Sequence, residues 1–159
     1  GAKIHAEIVG FGTNSDGSHI THPVSDTMGV AMQLALEQSG LPASAIGYVN
    51  AHGTATEHGD IAESHATARL FGNHMPISSL KSYLGHTLGA CGAIEAWGTI
   101  HMLNDDWYAP TVNLTELDPR CATLDYIVGQ GRALANEYVM SNNFAFGGIN
   151  TSLIFRRWR

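Results

Sequence analysis

The hydrophobic pattern of the chain predicts short strands that alternate with helices. Six β-rich runs, bounded by glycine or polar residues, predict strands at residues 4–11, 46–51, 76–80, 123–128, 138–144 and 151–155. The last two runs lie on either side of Gly147-Gly148 and therefore predict a hairpin. Strands that alternate with helices and end in a hairpin indicate an α/β domain, in which a mixed, mainly parallel sheet is flanked by helices.

Helical spacing of apolar residues fills the intervals between the first strands. The first helix is expected to begin at an N-cap of Ser25 or Asp26, and the second at a capping box formed by Asp60 and Glu63. Both are expected to end before a glycine, and a third helix is expected over residues 88–103. Ligands of such sheets bind beyond the carboxyl ends of the strands, so the loops that follow the strands are the candidate sites.

The composition excludes several classes of function. A chain of 159 residues without internal repeats is expected to form one domain. Its net charge of −6, with only 8 basic residues, makes nucleic acid a poor partner, and no apolar run is long enough for a membrane helix. Cys91 and Cys121 form no CxxC and no disulfide framework, which favours a reducing, cytoplasmic setting. The charged fraction of 14% lies below the roughly 25% of soluble domains and predicts surface that another protein segment covers.

The loop after the second strand carries a histidine and two threonines. In NAHGTATEHGD, His52 precedes a glycine, so its imidazole lies on a backbone that a ligand can approach closely. Thr54 and Thr56 alternate and are expected to present their hydroxyls on one side of the loop. A turn whose polar residues satisfy their own backbone explains the same pattern. A zinc site is disfavoured, because His52, His58 and His65 lack the spacing of metal ligands.

The loop after the third strand contains one of the two lysines of the chain. Lys81 lies in SLKSYLGHTLGA, a stretch without other charges, where a solubilising lysine would serve no purpose. Glu95, the nearest downstream carboxylate, is its expected partner. An ammonium near His86 is expected to disfavour the imidazolium and keep that ring neutral. Packing at a helix entry explains the glycines of this loop but not Lys81.

The predicted hairpin has paired glycines after an aromatic residue. In SNNFAFGGIN, Gly147 and Gly148 permit an unusual backbone path and are expected to direct N–H groups toward a developing oxyanion. A tight hairpin with core phenylalanines explains the same sequence. A Ser–His–Asp hydrolase is disfavoured, because the chain has no GxSxG motif.

Together, the segments HGTATEHGD, KSYLGHTLGACGAIEA and SNNFAFGGIN resemble, in order and spacing, the C-terminal half of the β-ketoacyl-[acyl-carrier-protein] synthases. These are condensing enzymes of the thiolase superfamily. The opening strand and the LIFRRW ending extend the resemblance over residues 1–159. It implies one half of a thiolase-like fold, with the nucleophilic cysteine in an N-terminal half that the chain lacks. Neither Cys91 nor Cys121 stands in the context of that nucleophile.

The resemblance also implies roles for individual residues. His52, His86 and Lys81 correspond to the catalytic histidines and lysine, and Thr54 and Thr56 to contacts of the phosphopantetheine arm. The other implied residues are the gating Phe146, whose N–H contributes to the oxyanion hole, its neighbours Gly147 and Gly148, and the supporting Glu95, Asp60 and Asn150.

The activity implied by the resemblance is a decarboxylative Claisen condensation of an acyl thioester with malonyl-carrier protein, in fatty acid or polyketide biosynthesis. The implied partners are acyl carrier protein, the missing N-terminal half and a second copy of the full-length enzyme. No metal or redox cofactor is required, since the substrate is carried on the phosphopantetheine of acyl carrier protein. The isolated chain is expected to be inactive and to expose apolar surface meant for the other half.

Two points leave alternatives open. Ala145, Asn143 and Ile149 stand where relatives usually have glycine, serine and threonine, which affects the expected acyl-chain preference and the movement of the gate. A non-catalytic subunit of the same fold, which determines chain length or binds acyl thioesters, also fits the resemblance. The presence of both histidines and the lysine favours the enzyme.

Overall fold

A computed structural model describes all 159 residues and contains one large mixed sheet. Its strands and those of a small second sheet are β1 (Ala6–Ser15), β2 (Ile46–Asn50), β3 (Pro76–Ser78), β4 (Trp107–Tyr108), β5 (Asp125–Tyr126), β6 (Arg132–Ala133), β7 (Tyr138–Ala145) and β8 (Ile149–Arg157). The large sheet has the order β1-β8-β7-β2-β3-β5, and β4 pairs with β6. Strands β7, β2, β3 and β5 are parallel, whereas β8 is antiparallel to both of its neighbours. The predicted α/β sheet with a C-terminal hairpin is therefore confirmed.

Helices cover both faces of this sheet. They are α1 (Ser25–Ser39), α2 (Glu57–Phe71), α3 (Lys81–Leu84) and α4 (Cys91–Asp105). Val49 belongs to a buried cluster with residues of α1 and α2, whereas its neighbour Tyr48 belongs to a second cluster with Met102 and Leu103 of α4. Successive residues of a strand point to opposite faces, so the two clusters are the two sides of one sheet. None of the helices is long and apolar enough to cross a membrane.

The first strand extends beyond its predicted end because β8 pairs with it along its polar part. Asn14 lies opposite Asn150 in this ladder, and the strand continues to Ser15. Helix α1 lies directly on the strand: a Cβ at Gly12 would overlap the carbonyl oxygen of Ala31. Glycine therefore permits the close approach of the helix to the strand.

Several predicted boundaries are wrong. The N-cap of α1 is Val24, without a side-chain cap, rather than Ser25 or Asp26. Helix α4 begins at Cys91, because a short 3₁₀ turn occupies the first residues of the predicted span. The short elements α3, β4 and β6 were not predicted, since two to four residues carry no measurable periodicity.

Three neighbouring parallel strands end at the same edge of the sheet. Asn50 at the end of β2 lies opposite both Ser78 of β3 and Ser141 of β7. The loops that follow these strands carry His52, Lys81 and the Phe146 turn, so the topology brings the three candidate segments together.

Candidate active site

The two candidate histidines and Phe146 lie next to one another. The ring centroids of His52 and His86 are 5.6 Å apart, with the rings perpendicular. The ring of Phe146 is nearly parallel to that of His86, at a centroid distance of 6.5 Å. The three rings therefore meet at one place, although His52 and His86 come from separate loops.

The His52 loop is fixed by two carboxylates of α2. The backbone N–H groups of His52 and Gly53 donate to Glu63 Oε1 and Oε2 at 2.8 and 2.9 Å, and Thr54 N–H donates to Asp60 Oδ1 at 3.1 Å. The predicted capping box of Asp60 and Glu63 is therefore wrong, because α2 begins a turn earlier and both carboxylates turn toward the preceding loop. Burial raises the pKa of Glu63 to about 7, against the opposing effect of the two N–H donors.

A glycine is required where this loop contacts the next. Gly53 has a φ of +41°, and a Cβ there would lie 2.7 Å from the Cβ of Ser79. Ser79 Oγ donates to the Gly53 carbonyl at 2.9 Å. The His52 loop and the Lys81 loop are thus joined at the sheet edge.

Lys81 forms a buried ion pair with Glu95, as expected. Its Nζ lies 2.5 Å from Glu95 Oε1, and the two residues are 8% and 2% exposed. The same Nζ lies 3.2 Å from Nδ1 of His52. The expectation that this ammonium acts on His86 is wrong, since the loop after β3 turns it toward the ring that follows β2. Lys81 does not line the cavity described below.

These contacts define the protonation of His52. Burial lowers its pKa to about 3, assisted by the positive charge of Lys81, so the ring is neutral at physiological pH. An ammonium paired with a carboxylate can only donate, so Nδ1 of His52 accepts from Lys81. The ring proton therefore resides on Nε2.

His86 has the same tautomer as His52, but a different donor determines it. It is exposed, and the backbone N–H of Leu88 donates to its Nδ1 at 3.1 Å. Cys91 Sγ lies 3.4 Å from the same nitrogen. Because a backbone N–H can only donate, Nδ1 bears no proton, and Nε2 of the neutral ring bears it.

Both rings line one cavity of about 590 Å³, together with Thr54, Thr56 and Phe146. The hydroxyls of the two threonines lie 2.8 Å apart on the same side of the loop, as expected. One hydroxyl donates to the other, which leaves one hydroxyl hydrogen for a ligand. The cavity thus offers two imidazole N–H donors and a hydroxyl pair.

The Phe146 turn differs from its prediction in its hydrogen bonds. Gly147 N–H donates to the Ile20 carbonyl at 3.0 Å and Gly148 N–H to the Ala145 carbonyl at 3.1 Å. The paired glycines therefore do not direct their N–H groups toward an oxyanion, whereas the N–H of Phe146 has no partner within the chain. Gly147 and Gly148 have positive φ and Ala145 does not, so the methyl group of Ala145 causes no backbone strain.

One residue expected at the site, Asn150, lies outside the cavity. Asn150 is buried at the edge-strand pairing, where its amide donates to Asn14 Oδ1 at 3.0 Å. His58 lines the cavity and packs against His22 at a centroid distance of 4.4 Å, whereas His65 Nε2 lies 2.9 Å from the Arg120 carbonyl oxygen. The histidines considered for a metal site are not brought together.

Three side chains near the site were not assigned to it from the sequence. The sequence assigns Glu63 to a capping box and Asn143 to acyl-chain preference, and it gives Cys91 no role at the site. Cys91 and Asn143 line the cavity, and Asn143 donates to Glu95 Oε2 at 3.1 Å. The signal for Glu63 was present, since a Glu on a helix that follows a glycine-rich loop can accept the N–H groups of that loop.

Comparison with known proteins agrees with this geometry. Residues 5–115 match the family described as "Beta-ketoacyl synthase, C-terminal domain". The 3-oxoacyl-[acyl-carrier-protein] synthase 2 of Synechocystis sp. is 44% identical over 100% of this chain, and that of Vibrio cholerae is 43% identical over 99%. The chain spans only 39% of the length of each of these relatives.

Solved structures show the same architecture. A β-ketoacyl synthase from Burkholderia phymatum superposes with a TM-score of 0.98 at 73% identity, covering 99% of this chain and 39% of that one. A type II polyketide ketosynthase, solved with its acyl-carrier protein and bound to a hexaketide, superposes with a TM-score of 0.93 at 32% identity, covering 99% and 40%. The chain thus has the fold of one portion of these proteins.

Proposed function

This chain belongs to the β-ketoacyl synthase family and matches its C-terminal domain. We propose that it supplies the decarboxylation site of a 3-oxoacyl-[acyl-carrier-protein] synthase. The full-length protein condenses an acyl thioester with malonyl-carrier protein, in fatty acid or polyketide biosynthesis. Its nucleophilic cysteine lies in the N-terminal half. Support comes from relatives named for this activity, which extend well beyond the length of this chain.

The arrangement of His52 and His86 carries the proposal. Two neutral rings, each with its proton on Nε2, line the same cavity at a centroid distance of 5.6 Å. When malonyl thioester loses carbon dioxide, the thioester oxygen of the enolate carries negative charge. Two N–H donors held in position stabilise that oxygen without any reorganisation during the reaction.

The proton remains available because the protein supplies donors to the other nitrogen of each ring. Lys81 donates to Nδ1 of His52, and Leu88 N–H donates to Nδ1 of His86. Glu95 neutralises Lys81, so no free ammonium enters the cavity and competes for the enolate. No metal or redox cofactor is needed for this chemistry.

Thr54 and Thr56 are proposed to bind the phosphopantetheine arm that delivers the substrate, and Phe146 to cover the entrance. The thiolate nucleophile of the other half attacks the acyl thioester, breaks its bond to the phosphopantetheine sulfur, which leaves as a thiolate, and holds the acyl group as a new thioester. Cys91 does not stand in the sequence context of that nucleophile, so the proposal places the nucleophile in the other half. Acyl carrier protein and a second copy of the full-length chain are the proposed partners, in a cytoplasmic setting.

A non-catalytic subunit of the same fold is the second candidate, since one solved relative pairs a ketosynthase with a chain length factor. Retention of His52, Lys81 and His86 in one connected arrangement favours the enzyme. The two candidates differ in the missing half, where only the enzyme has a cysteine at a strand–helix turn.

The test uses the full-length enzyme and measures two partial reactions separately. His52→Ala and His86→Ala are each expected to lower the rate of malonyl thioester decarboxylation about 10²–10³-fold. Acyl transfer to the cysteine remains measurable, because it needs only the nucleophile and its own oxyanion donors. His65→Ala, on the surface of α2, is the control. The chain produced alone is expected to show no condensation.

Two results would contradict the proposal. One is decarboxylation near the parental rate in either histidine variant. The other is elongation of an acyl thioester by the isolated chain, which would mean that no cysteine from another half is needed.

A further inference from the structure

We propose that Asn143 is a positioning residue of this site: its amide occupies one oxygen of Glu95 and thereby keeps the Lys81 ammonium on the ring of His52. The inference rests on the proposed function, in which His52 must present its Nε2 proton to the enolate. Asn143 touches neither histidine in the hydrogen-bond network, so it acts through Glu95 and Lys81.

The orientation of the Asn143 amide is determined by its acceptors. Nδ2 donates to Glu95 Oε2 at 3.1 Å and to the Asn142 carbonyl at 2.8 Å, which uses both of its hydrogens. The reversed amide would direct its oxygen at a carboxylate and a carbonyl. The backbone is fixed as well, because Thr151 Oγ1 donates to the Asn143 carbonyl at 3.1 Å across the β7–β8 ladder.

Glu95 divides its two oxygens between two donors. Oε1 accepts from Lys81 at 2.5 Å, and Oε2 accepts from Asn143. The residue is 2% exposed, so bulk water does not replace a lost donor. A buried carboxylate oxygen without a partner is costly, and the nearest remaining donor is the Lys81 ammonium.

This division has a consequence for His52. The Lys81 ammonium contacts both Glu95 and Nδ1 of His52, at 2.5 and 3.2 Å. If Oε2 lost its amide donor, the carboxylate would draw the ammonium into a two-oxygen contact and away from the ring. Nδ1 of His52 would then lose the donor that places the ring proton on Nε2. Asn143 thus begins a series of hydrogen bonds that runs through Glu95 and Lys81 to the ring of His52 at the cavity.

Two substitutions that keep the branched shape of the side chain separate this role from packing. Asn143→Leu removes the donor without adding charge. Asn143→Asp removes the donor and adds a carboxylate next to Glu95, and that carboxyl becomes a donor again when it is protonated. Two carboxyl groups in contact share a proton at a raised pKa. The other titratable groups around Glu95 and Lys81 are His52 from the loop after β2, Tyr48 from β2, and Asp60 and Glu63 from α2.

The experiment measures malonyl thioester decarboxylation by the full-length enzyme, and the ¹⁵N chemical shifts of the His52 ring in histidine-labelled protein. Both variants are expected to lose about tenfold in kcat at pH 8. As the pH is lowered from about 8 to about 6, the Asn143→Asp variant is expected to recover relative to the parent, and Asn143→Leu is not. The Nδ1 resonance of His52 should move at pH 8 in both variants and return at low pH only in Asn143→Asp. Asn73→Asp, an exposed exchange of the same kind, is the control.

Each result decides the inference. An unchanged His52 resonance in both variants would overturn it, even if kcat fell, because the loss would then come from the cavity wall. Equal pH profiles for the two variants would also overturn it. If the parent enzyme did not decarboxylate malonyl thioester, the proposed function would fail, and the His52 resonance would still decide the role of Asn143.

Discussion

The two histidines of the site face one cavity from surroundings of opposite character. The ring of His52 accepts a hydrogen bond from Lys81, which is paired with Glu95, and its backbone N–H donates to Glu63. Lys81, Glu95 and Glu63 are all buried. His86 is exposed and is held by the main chain of its own loop. Its ring is covered by Phe146, which is 64% exposed.

This difference indicates that the two sides of the site have different roles. The His52 side has its charges and hydrogen bonds paired away from solvent, so its geometry is fixed before substrate arrives. The His86 side consists of a loop and an exposed aromatic ring with few packed neighbours, features typical of low local stability. We infer that the first side fixes the chemistry and the second controls access.

Removing Lys81 is expected to have the largest effect on stability. Lys81→Ala leaves the Glu95 carboxylate buried without its counterion, which typically costs 3–5 kcal/mol. The free energy of unfolding of the full-length enzyme, measured in denaturant, should therefore fall by about 3–5 kcal/mol. Decarboxylation should be lost as well, because Nδ1 of His52 loses its donor.

The double variant Lys81→Met with Glu95→Met sharpens this result. It removes both charges at similar volume, so most of the stability should return while decarboxylation remains lost. A single Lys81→Ala variant as stable as the parent would mean that the pair is not buried in the enzyme.

Replacing Glu63 tests the hold on the His52 backbone. Glu63→Gln exchanges one acceptor oxygen for an NH₂ group that faces a backbone N–H, which should cost about 1–3 kcal/mol. The melting temperature of the enzyme should fall accordingly. Glu116→Gln, an exposed change between β4 and β5, is the control. Equal melting temperatures for the two variants would contradict the role of Glu63.

Glu63→Gln and His52→Ala should change the pH dependence of the free energy of unfolding in opposite directions. The pKa of Glu63 is raised to about 7, so its contribution is present below its ordinary value near 4.5 and is lost as the pH rises through 7. The pKa of His52 is lowered to about 3, so its contribution is present above its ordinary value near 6.5 and is lost as the pH falls toward 3. Between about pH 4.5 and 6.5, stability should rise more steeply with pH in Glu63→Gln than in the parent, and less steeply in His52→Ala.

Removing the Phe146 side chain should have the smallest effect on stability. Phe146→Ala deletes an exposed ring and is expected to change the free energy of unfolding by less than about 0.5 kcal/mol. Its effect should appear in the rate of acyl transfer and in acyl-chain selectivity, measured with thioesters of different length. A loss of stability comparable to that of Lys81→Ala would end the distinction between the two sides.

The position of the site could be predicted from the sequence, but the hydrogen-bond partners within it could be predicted only in part. Strand ends could be predicted from the apolar runs before His52 and Lys81, and parallel strands bring such ends to one edge. The partner of Lys81 could also be predicted, since Glu95 is the only carboxylate in the helix predicted over residues 88–103. Which ring the ammonium reaches depends on how adjacent strands pair, and spacing along the chain does not encode that.

Two errors have local causes. Asp60 and Glu63 match a capping box in spacing, yet their carboxylates meet the N–H groups of the loop before the helix, and only the path of that loop distinguishes the two cases. The glycines after Phe146 were expected to free N–H groups. Their left-handed conformation instead turns those groups onto the carbonyls of Ile20 and Ala145.

The proposed chemistry requires that both rings are neutral and carry their protons on Nε2, and ¹⁵N NMR of histidine-labelled full-length enzyme distinguishes the tautomers and the charged form. Resonances would be assigned with the His52→Ala and His86→Ala variants. At pH 7 we expect, for both residues, a pyrrole-type Nε2 bearing hydrogen and a pyridine-type Nδ1. A protonated ring, or a proton on Nδ1 of either residue, would contradict it.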